Sequence, residues 1–155
     1  MLIKWLDRSS TGYIFDDSGA FEILPGDEND AEYLSEKLNA HDAACVPRAH
    51  KYVPLTGKVT DGDGTIIAGF VGGVNGWNGA DIDALWVDER YQRQGIGSAL
   101  LRELEREAKE TGAYLMVLDA FDWNVEFYKK NGYEVTGALK GFPKGHTMYC
   151  IQKYL

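Results

Sequence analysis

Two glycines placed two residues apart, directly before a predicted helix, form the clearest ligand-binding pattern in this chain. Gly95 and Gly97 lie in the stretch WVDERYQRQGIGSALL, which begins as the end of a strand and ends as a helix. Glycine allows the backbone to turn sharply and to approach a ligand closely. The first amides of a helix have no intrahelical partner and lie at the positive end of the helix dipole. The spacing therefore predicts a site for a phosphate or diphosphate group.

Polar side chains around these glycines fit the same chemistry. Arg90 and Arg93 are placed to add cationic contacts at the rim of such a site, and Ser98 to donate a hydroxyl hydrogen bond. The glycine pair alone is equally compatible with a tight turn that holds no ligand.

The dinucleotide-binding fingerprint GxGxxG is an alternative explanation of the pattern. The chain has GIGSAL, so the third glycine is missing, and DERYQRQ separates the predicted strand from the first glycine. That spacer is too long for the tight turn of the fingerprint. Asp119, which closes the next predicted strand, favours the alternative, because the fingerprint places an acidic residue about 20 residues downstream. The alternative therefore stays open at this point.

The elements around the loop are predicted from hydrophobic periodicity. DIDALWV is a strand, and the helix after the loop carries Ile96, Leu100, Leu104 and Ala108 on one stripe, with Gly112 as its stop. The nearly continuous apolar run AYLMVLDAF predicts a strand buried on both faces. DWNVEFYKKNG predicts a short helix. This alternation of strands and helices predicts an α/β sheet.

The remaining segments add antiparallel strands and one more helix. GYIFDDSG and AFEILPGD predict short strands, and KVTDGDGTIIAGFVGGV predicts a hairpin with Asp-Gly pairs at its tip. DENDAEYLSEKLNAHD predicts a helix with Asp27 or Asn29 as its cap and with Ala31, Leu34 and Leu38 on its apolar stripe. YEVTGAL and HTMYCIQKYL predict a closing hairpin.

At these residues the chain resembles a known family. LWVDERYQRQGIGSALL resembles motif A of the GCN5-related N-acetyltransferases (GNAT), with the core pattern Q/R-x-x-G-x-G/A present as Gln92-x-x-Gly95-x-Gly97. EFYKKNGYEV resembles the second family motif, and KGFPKGHTMYCIQKYL resembles the closing hairpin of a bacterial subgroup of small acetyltransferases. Two motifs in order and at the family spacing are much more specific than either alone.

The resemblance implies the fold and the domain organisation. It implies an α/β GNAT fold, in which a mixed, mostly antiparallel central sheet splays between the fourth and fifth strands at a bulge and is flanked by helices. A single N-acetyltransferase domain is expected over residues 20–155. Residues 1–19 are expected to form an N-terminal extension, for which the sequence predicts no definite structure.

The resemblance also implies acetyl-CoA as cosubstrate and no metal. Backbone amides of the glycine loop are expected to bind the CoA diphosphate, and the pantetheine arm is expected to lie along a strand edge. Many members have an asparagine where this chain has Phe121, so Asn124 is the expected substitute. The implied cofactor-binding residues are Leu85, Trp86, Val87, Gln92, Arg93, Gln94, Gly95, Ile96, Gly97, Ser98, Asn124 and Phe127.

Two catalytic residues follow from the resemblance. Tyr128 falls on the family tyrosine that protonates the departing thiolate, and a phenol is protonated at neutral pH. Without the motif, Tyr128 would be an ordinary residue of an amphipathic helix. Asp83 is expected to accept a proton from the amine or to bind a cationic acceptor, with Asp81 on the same face of the strand. A solvated carboxylate without a role is the competing interpretation.

Composition restricts the partners. The formal net charge is −8, which argues against nucleic acid or an anionic membrane as partner. It favours a cationic small molecule or peptide, with an acidic surface that only keeps the protein in solution as the competing interpretation. The N-terminus lacks the apolar segment of a secretory signal, so a cytoplasmic location is expected. Spacing alone pairs neither of the two cysteines with any of the three histidines. Because family members often dimerise, the resemblance allows a homodimer.

The sequence thus predicts an N-acetyltransferase that moves an acetyl group from acetyl-CoA to a primary amine of an unidentified small molecule or peptide, by direct attack on the thioester. The alternative function is a non-catalytic acyl-CoA-binding or sensor module, which would keep the glycine loop and lose the acid. The presence of Tyr128 favours the enzyme.

Overall fold

The computed structural model describes the backbone of residues 12–16 and 19–155, and the side chains from residue 23 onward. The chain divides into two compact units, Met1–Pro47 and Arg48–Leu155. The expected extension over residues 1–19 stays a prediction. The turn that the sequence places after GYIF includes residues 17 and 18, which lie outside the described residues.

The first unit contains the two strands and the helix that the sequence predicted, and the strands pair as a hairpin. The predicted apolar stripe of the helix is not buried among the described residues, because Leu34 and Leu38 are 65% and 62% exposed. Strand β1 (Gly12–Asp16) pairs antiparallel with β2 (Gly19–Ile23). Helix α1 spans Glu28–Cys45. Its N-cap is Asp27, whose carboxylate accepts a hydrogen bond from the Asp30 amide at 3.0 Å, while the Asp30 carboxylate accepts one from the Asp27 amide at 2.9 Å. Two of the amides at the helix start are thereby satisfied.

The second unit is built on a six-stranded sheet. All neighbouring strands pair antiparallel except the central β5–β6 pair, which is parallel. The mixed, mostly antiparallel α/β sheet that the sequence predicted is therefore confirmed, and both predicted hairpins are present. The strands are β3 (Val53–Thr60), β4 (Ile66–Val74), β5 (Gly79–Val87), β6 (Leu115–Phe121), β7 (Glu134–Lys140) and β8 (Thr147–Tyr154), in the order β3-β4-β5-β6-β8-β7.

The second unit contains two α-helices, one after β5 and one after β6. Helix α2 (Ile96–Glu110) packs across β3, β4 and β5, and α3 (Val125–Lys130) follows β6. The apolar stripe predicted for α2 is confirmed, because Leu100, Leu104 and Ala108 are buried in the core. None of the helices that the structure describes is long and apolar enough to cross a membrane.

The prediction that β6 is buried on both faces is wrong. Met116 and Ala120 are fully buried, but Val117 is 39% exposed and Asp119 is exposed. Only one face of β6 packs into the hydrophobic core, so burial alternates along the strand as in a sheet covered on one side. A continuous apolar run does not reveal which face is covered, and the alternation is visible only in the structure.

The sheet opens between β5 and β6. The parallel pairing is limited to three residue pairs, from Gly79 opposite Leu115 to Asp81 opposite Val117. Beyond these pairs the two strands separate, which leaves the backbone of the second half of β5 unpaired on that side. The splay predicted between the fourth and fifth strands of the family lies here between β5 and β6. β5 is the strand that carries the candidate pantetheine-binding residues.

A β-bulge lies at the same point. Val71 of β4 pairs with Ala84, whereas the next residue, Gly72, pairs with Ile82. Asp83 is the extra residue. The insertion reverses which residues face the core, because Ala80 is buried before it while Leu85 packs against the core after it. A bulge of this kind bends a strand and increases its twist.

Candidate active site

The loop after β5 is braced by its own side chains. The Asp88 amide donates to the Ile67 carbonyl at 2.9 Å. The Asp88 carboxylate accepts from the Arg90 amide and from the Arg90 guanidinium, at 2.9–3.0 Å. These bonds lower the pKa of Asp88 to about 2. The side-chain amide of Gln92 donates to the Val87 carbonyl at 3.0 Å, which ties the loop back to the strand.

The backbone then turns so that the amides at the start of α2 point outward. Arg93 (φ 59°) and Gly95 (φ 86°) have left-handed backbone conformations, the second as the N-cap of α2. Because Gly95 has no side chain, the N-cap position supplies no acceptor for the first amides of α2. Within the described part of the chain, the amides of residues 95–98 donate to no protein acceptor. Successive free amides at a helix start form an anion-binding concavity.

These amides border a cleft of about 450 Å³. The cleft runs from the glycine loop, past the inward-facing residues at the end of β5, to α3. Most of the residues predicted to bind the cofactor meet here. The lining residues are Leu85, Val87, Gln92, Arg93, Gly95, Gly97, Ser98, Trp123, Asn124, Phe127 and Tyr128.

Three predicted cofactor residues do not line the cleft. Trp86 lies between two lining residues of β5, and its side chain is 52% exposed. Because the predicted contact uses the strand backbone, this side-chain position does not conflict with it. Gln94 bonds back to the Arg90 carbonyl at 3.4 Å, and Ile96 packs against the core.

Tyr128 is the buried phenol of the cleft. Its side chain is 6% exposed, and its ring lies edge-on to Phe127 and Tyr133, with centroids 5.0 and 5.7 Å away. Its hydroxyl donates no hydrogen bond to any residue whose side chain the structure describes. Burial raises the pKa of Tyr128 above its ordinary value, so the phenol is protonated and available to donate at neutral pH.

Asn124 and Trp123 form the end of the cleft next to β6. The Asn124 side-chain oxygen accepts from the Phe121 amide at 2.7 Å, so this side chain closes the turn between β6 and α3. Trp123 was not predicted as a site residue. It is 61% exposed and stacks on Phe121 at 4.5 Å. Its position in DWNVEFY, directly before the second motif, was the signal available in the sequence.

The structure places Asp83 outside the cleft. It is exposed at the bulge of β5. Nearby, the Tyr52 hydroxyl donates to Asp81 at 3.1 Å. Partial burial raises the pKa of Asp81, the bond from Tyr52 lowers it, and the charge of Asp83 raises it, with a net upward shift. Asp81 also lines a second cavity, of about 330 Å³, together with Asp119 of β6.

The cysteines and histidines lie elsewhere. Contrary to the expectation from spacing, one pair does form, because His41 Nε2 lies 3.8 Å from Cys45 Sγ, one turn apart on α1. His146 faces Asp122 at 3.2 Å and lies edge-on to Trp123. Among the residues that the structure describes, no cluster of three or more His, Cys, Asp or Glu side chains is arranged to hold a metal ion.

A glycine-rich helix start beside an opened mixed sheet is the arrangement of an α/β protein that binds an anionic ligand. The family described as "Acetyltransferase (GNAT) family" matches residues 18–133, which is most of the chain. The chain belongs to this family and is an acetyltransferase. The family and fold predicted from the motifs are confirmed.

Individual relatives agree with the family. The chain is 31% identical to blasticidin-S acetyltransferase from Streptomyces morookaense over 94 residues, which cover 59% of this chain and 68% of that protein. The crystal structure of an acetyltransferase from Bacillus cereus ATCC 14579 has a TM-score of 0.81 at 34% identity, covering 86% of this chain and 96% of the other.

A second structure shares the fold and was solved with acetyl coenzyme A. It is a Bacillus anthracis str. Ames protein assigned as a streptothricin acetyltransferase, in complex with acetyl coenzyme A. Its TM-score is 0.53 at 24% identity, covering 59% of this chain and 57% of the other. Structural neighbours of this chain therefore include a complex with acetyl-CoA.

Proposed function

We propose that this protein transfers the acetyl group of acetyl-CoA to a primary amine by direct attack on the thioester. The observation that supports this most strongly is the content of one cleft, which has free helix-start amides at one end and a buried, protonated phenol, Tyr128, at the other. An anion site and an acid in one cleft fit a substrate that carries a diphosphate and releases a thiolate.

The diphosphate is proposed to bind the amides of residues 95–98, with Arg93 at the rim. The positive end of the α2 dipole and the unsatisfied amides favour this anion. Gln92 supports the glycine loop by its hydrogen bond to the Val87 carbonyl. At the opposite end of the cleft, Asn124 supports the turn between β6 and α3 by accepting a hydrogen bond from the Phe121 amide.

The pantetheine arm is proposed to run along the free edge of β5 beside Leu85 and Val87. The strand separates from β6 after Asp81, so its amides and carbonyls in this segment are not used by the parallel neighbour. A backbone amide of this edge is proposed to polarise the thioester carbonyl, as in an oxyanion hole. Phe127 and Trp123 supply apolar surface along the same path.

In the proposed chemical step, the protonated acceptor amine first loses one proton to bulk water. The neutral amine then attacks the carbonyl carbon, a C–N bond forms and the C–S bond breaks. The CoA thiolate takes the proton of the Tyr128 hydroxyl, and solvent reprotonates the phenol. The proton lost by nitrogen is proposed to pass through water to Asp83, since that carboxylate is exposed at the bulge rather than inside the cleft.

The acceptor is proposed to be cationic before it reacts. Asp81 and Asp119 lie on the two strands that separate, and both line the second cavity. Together with the net charge of −8, these carboxylates favour a protonated amine over a neutral or anionic acceptor.

The test is release of free CoA thiol from acetyl-CoA with a panel of primary amines, in which blasticidin S is included because a relative is named for it. Turnover with at least one cationic amine, together with its acetylated product by mass spectrometry, is the expected result. Binding of CoA without turnover on any amine would instead identify a non-catalytic acyl-CoA-binding module.

A further inference from the structure

Lys153, near the end of β8, makes contacts with both helices that build the cleft. Its Nζ donates to Glu105 Oε2 of α2 at 2.8 Å and to the Asn131 carbonyl, at the end of α3, at 3.0 Å. The ion pair is largely buried, with side-chain exposures of 26% for Lys153 and 13% for Glu105. One ammonium group therefore links three elements at the back of the site.

The two helices carry the two functional halves of the cleft. α2 begins at the free amides, and α3 carries Tyr128. Asn131 is bonded directly to that residue, because its amide donates to the Tyr128 carbonyl at 2.9 Å. The Tyr133 amide donates to the same carbonyl at 3.1 Å. Lys153 thus binds the carbonyl of Asn131, the residue whose amide is hydrogen-bonded to the Tyr128 carbonyl.

A second connection runs through the aromatic rings. The Lys153 ammonium lies 5.5 Å from the centroid of the Tyr133 ring, within the range of a cation–π contact. Tyr133 is 3% exposed, and its ring packs edge-on against that of Tyr128 at 5.7 Å. Its hydroxyl donates to Met116 Sδ at 3.4 Å, which fixes the ring from the other end.

The ion pair is not an efficient stabiliser of the fold. Glu105 Oε1 is buried and accepts no hydrogen bond of ordinary geometry from the described residues, although this carboxylate lies close enough to Tyr133 to add to burial in raising the pKa of that phenol. A buried pair with an unsatisfied oxygen contributes less to stability than well-packed apolar side chains of the same size often do. An apolar residue at position 153 would supply no donor to the Asn131 carbonyl. It would therefore not fix the distance between α2 and α3.

We propose that Lys153 is a positioning residue, which holds α3 against α2 so that the Tyr128 hydroxyl meets the sulfur of a thioester anchored at the start of α2. The inference depends on the proposed role of Tyr128 as the acid. Lys153 lines neither cavity and acts only through Glu105, Asn131 and Tyr133.

The test compares Lys153→Met with Lys153→Arg in the full chain. In Lys153→Met, kcat is expected to fall about tenfold to a hundredfold, since an ångström-scale displacement of a reacting group has an effect of this order. The Kd of CoA should not change, because the amide loop is untouched. Lys153→Arg retains a charged donor and is expected to recover most of the lost kcat.

Two controls separate positioning from stability. Lys129→Met removes an exposed ion pair with Glu126 on the same helix, and it should leave kcat unchanged. The Glu105→Leu/Lys153→Met double variant removes both buried charges and should fold even where Lys153→Met does not. It still lacks the donor to Asn131, so it should show the same loss of kcat as Lys153→Met.

The Tyr128→Phe background distinguishes the two proposals. The Lys153→Met effect on kcat is expected to vanish there, because no acid is left to position. A folded Lys153→Met or double variant with wild-type kcat, or an undiminished effect in the Tyr128→Phe background, overturns the role of Lys153 and leaves the acid in place. Wild-type turnover of Tyr128→Phe itself overturns the acid, and with it this inference.

Discussion

Gly97 faces the proposed diphosphate site, and its surroundings separate the effects of size and charge. A Cβ at this position would lie 3.4 Å from the Phe127 ring and 3.6 Å from Val87 Cγ2, which are ordinary contacts. The backbone there is not left-handed. A small side chain is therefore compatible with the fold, and a larger one would enter the cleft that Phe127 and Val87 line.

Gly97→Glu is therefore expected to weaken CoA binding more than Gly97→Gln, which has the same length and no charge. A charge at a helix N-terminus is worth up to about 2 kcal/mol in a partly buried site, which corresponds to roughly a thirtyfold difference in Kd between the two variants. Calorimetric titration with CoA measures it. Equal losses would show that the site is sensitive to volume alone and that no anion is held there.

Tyr128 predicts a pH dependence of turnover. Burial raises its pKa above the ordinary value of 10.0, so kcat should be insensitive to this group at neutral pH and should fall only above pH 10. Tyr128→Phe should lower kcat by about 10²–10⁴, keep the Kd of CoA, and lose the alkaline decline. The pH profile of kcat is the measurement, with Tyr154→Phe, an exposed tyrosine of β8, as control.

The sign of the accompanying stability effect follows from the same shift. A raised folded-state pKa stabilises the native state below the unfolded value near 10 and ceases to do so as the pH rises through the folded value. Circular dichroism of the wild type and of Tyr128→Phe at each pH should therefore show no loss of structure specific to the wild type below pH 10. An alkaline decline of kcat that persists in Tyr128→Phe would assign it to another group.

At the scale of single residues, the sequence predicted most of the residues that line the cleft but not all of their contacts. The motif spacing brought Gly95, Gly97 and Tyr128 correctly to one cleft. It could not show that the Gln92 side chain binds the Val87 carbonyl, nor that Trp123 lines the same cleft. Those contacts depend on the conformation of the loop and of the β6–α3 turn, and neither motif specifies that conformation.

Among the secondary-structure elements, the bulge between β4 and β5 determines the geometry of the site. It coincides with the opening of the sheet, because the parallel pairing ends at Asp81 and the extra residue is Asp83. Gly72 lies opposite this irregularity. A Cβ at Gly72 would collide with the Asp81 carbonyl oxygen, which is backbone and cannot rotate away. The close approach of the two strands therefore requires glycine here.

Gly72→Ala is expected to lower the free energy of unfolding by about 1–3 kcal/mol, the usual effect of inserting a methyl group into a filled space. It should also lower kcat, because the displaced strand carries the proposed pantetheine edge. Urea unfolding measures the first effect. Gly62→Ala, at a position where an added Cβ meets nothing within 4 Å, should remain within about 0.5 kcal/mol of wild type. Identical stabilities for the two variants would contradict the close approach.

The elements themselves were largely predictable. Helical periodicity located α2 and its buried stripe, and turn residues located the hairpins. The prediction failed for β6, where Val117 and Asp119 are exposed although the run is apolar. Burial of a strand depends on what covers each face, and that is a property of the tertiary arrangement which strand composition does not record.

For the molecule as a whole, ligand binding is expected to appear as stability. A ligand that binds only the folded state stabilises it by about 2.7 kcal/mol at a concentration of 100 times its Kd. CoA should therefore raise the Tm, and NAD should not, because the loop lacks the third glycine of the dinucleotide fingerprint. Thermal unfolding with each ligand checks this. Stabilisation by NAD with none by CoA would favour the dinucleotide alternative instead.

The family, the α/β class and the splayed sheet follow from two short motifs and their order along the chain. The identity of the acceptor does not, since no motif in the segments around the second cavity specifies an amine. The net charge restricts the acceptor to a broad class only, because charge is a property of the whole surface and not of one pocket.

The central claim is that the amides of residues 95–98 hold the diphosphate of CoA while the edge of β5 holds its pantetheine arm. Amide-resolved ¹H–¹⁵N NMR during titration tests it most directly, with CoA compared to pantetheine, which lacks the diphosphate. CoA should shift the amides of Gly95, Gly97 and Ser98 together with those of Leu85–Val87, whereas pantetheine should shift only the strand amides. Saturation with CoA that leaves the resonances of residues 95–98 in place would contradict the account.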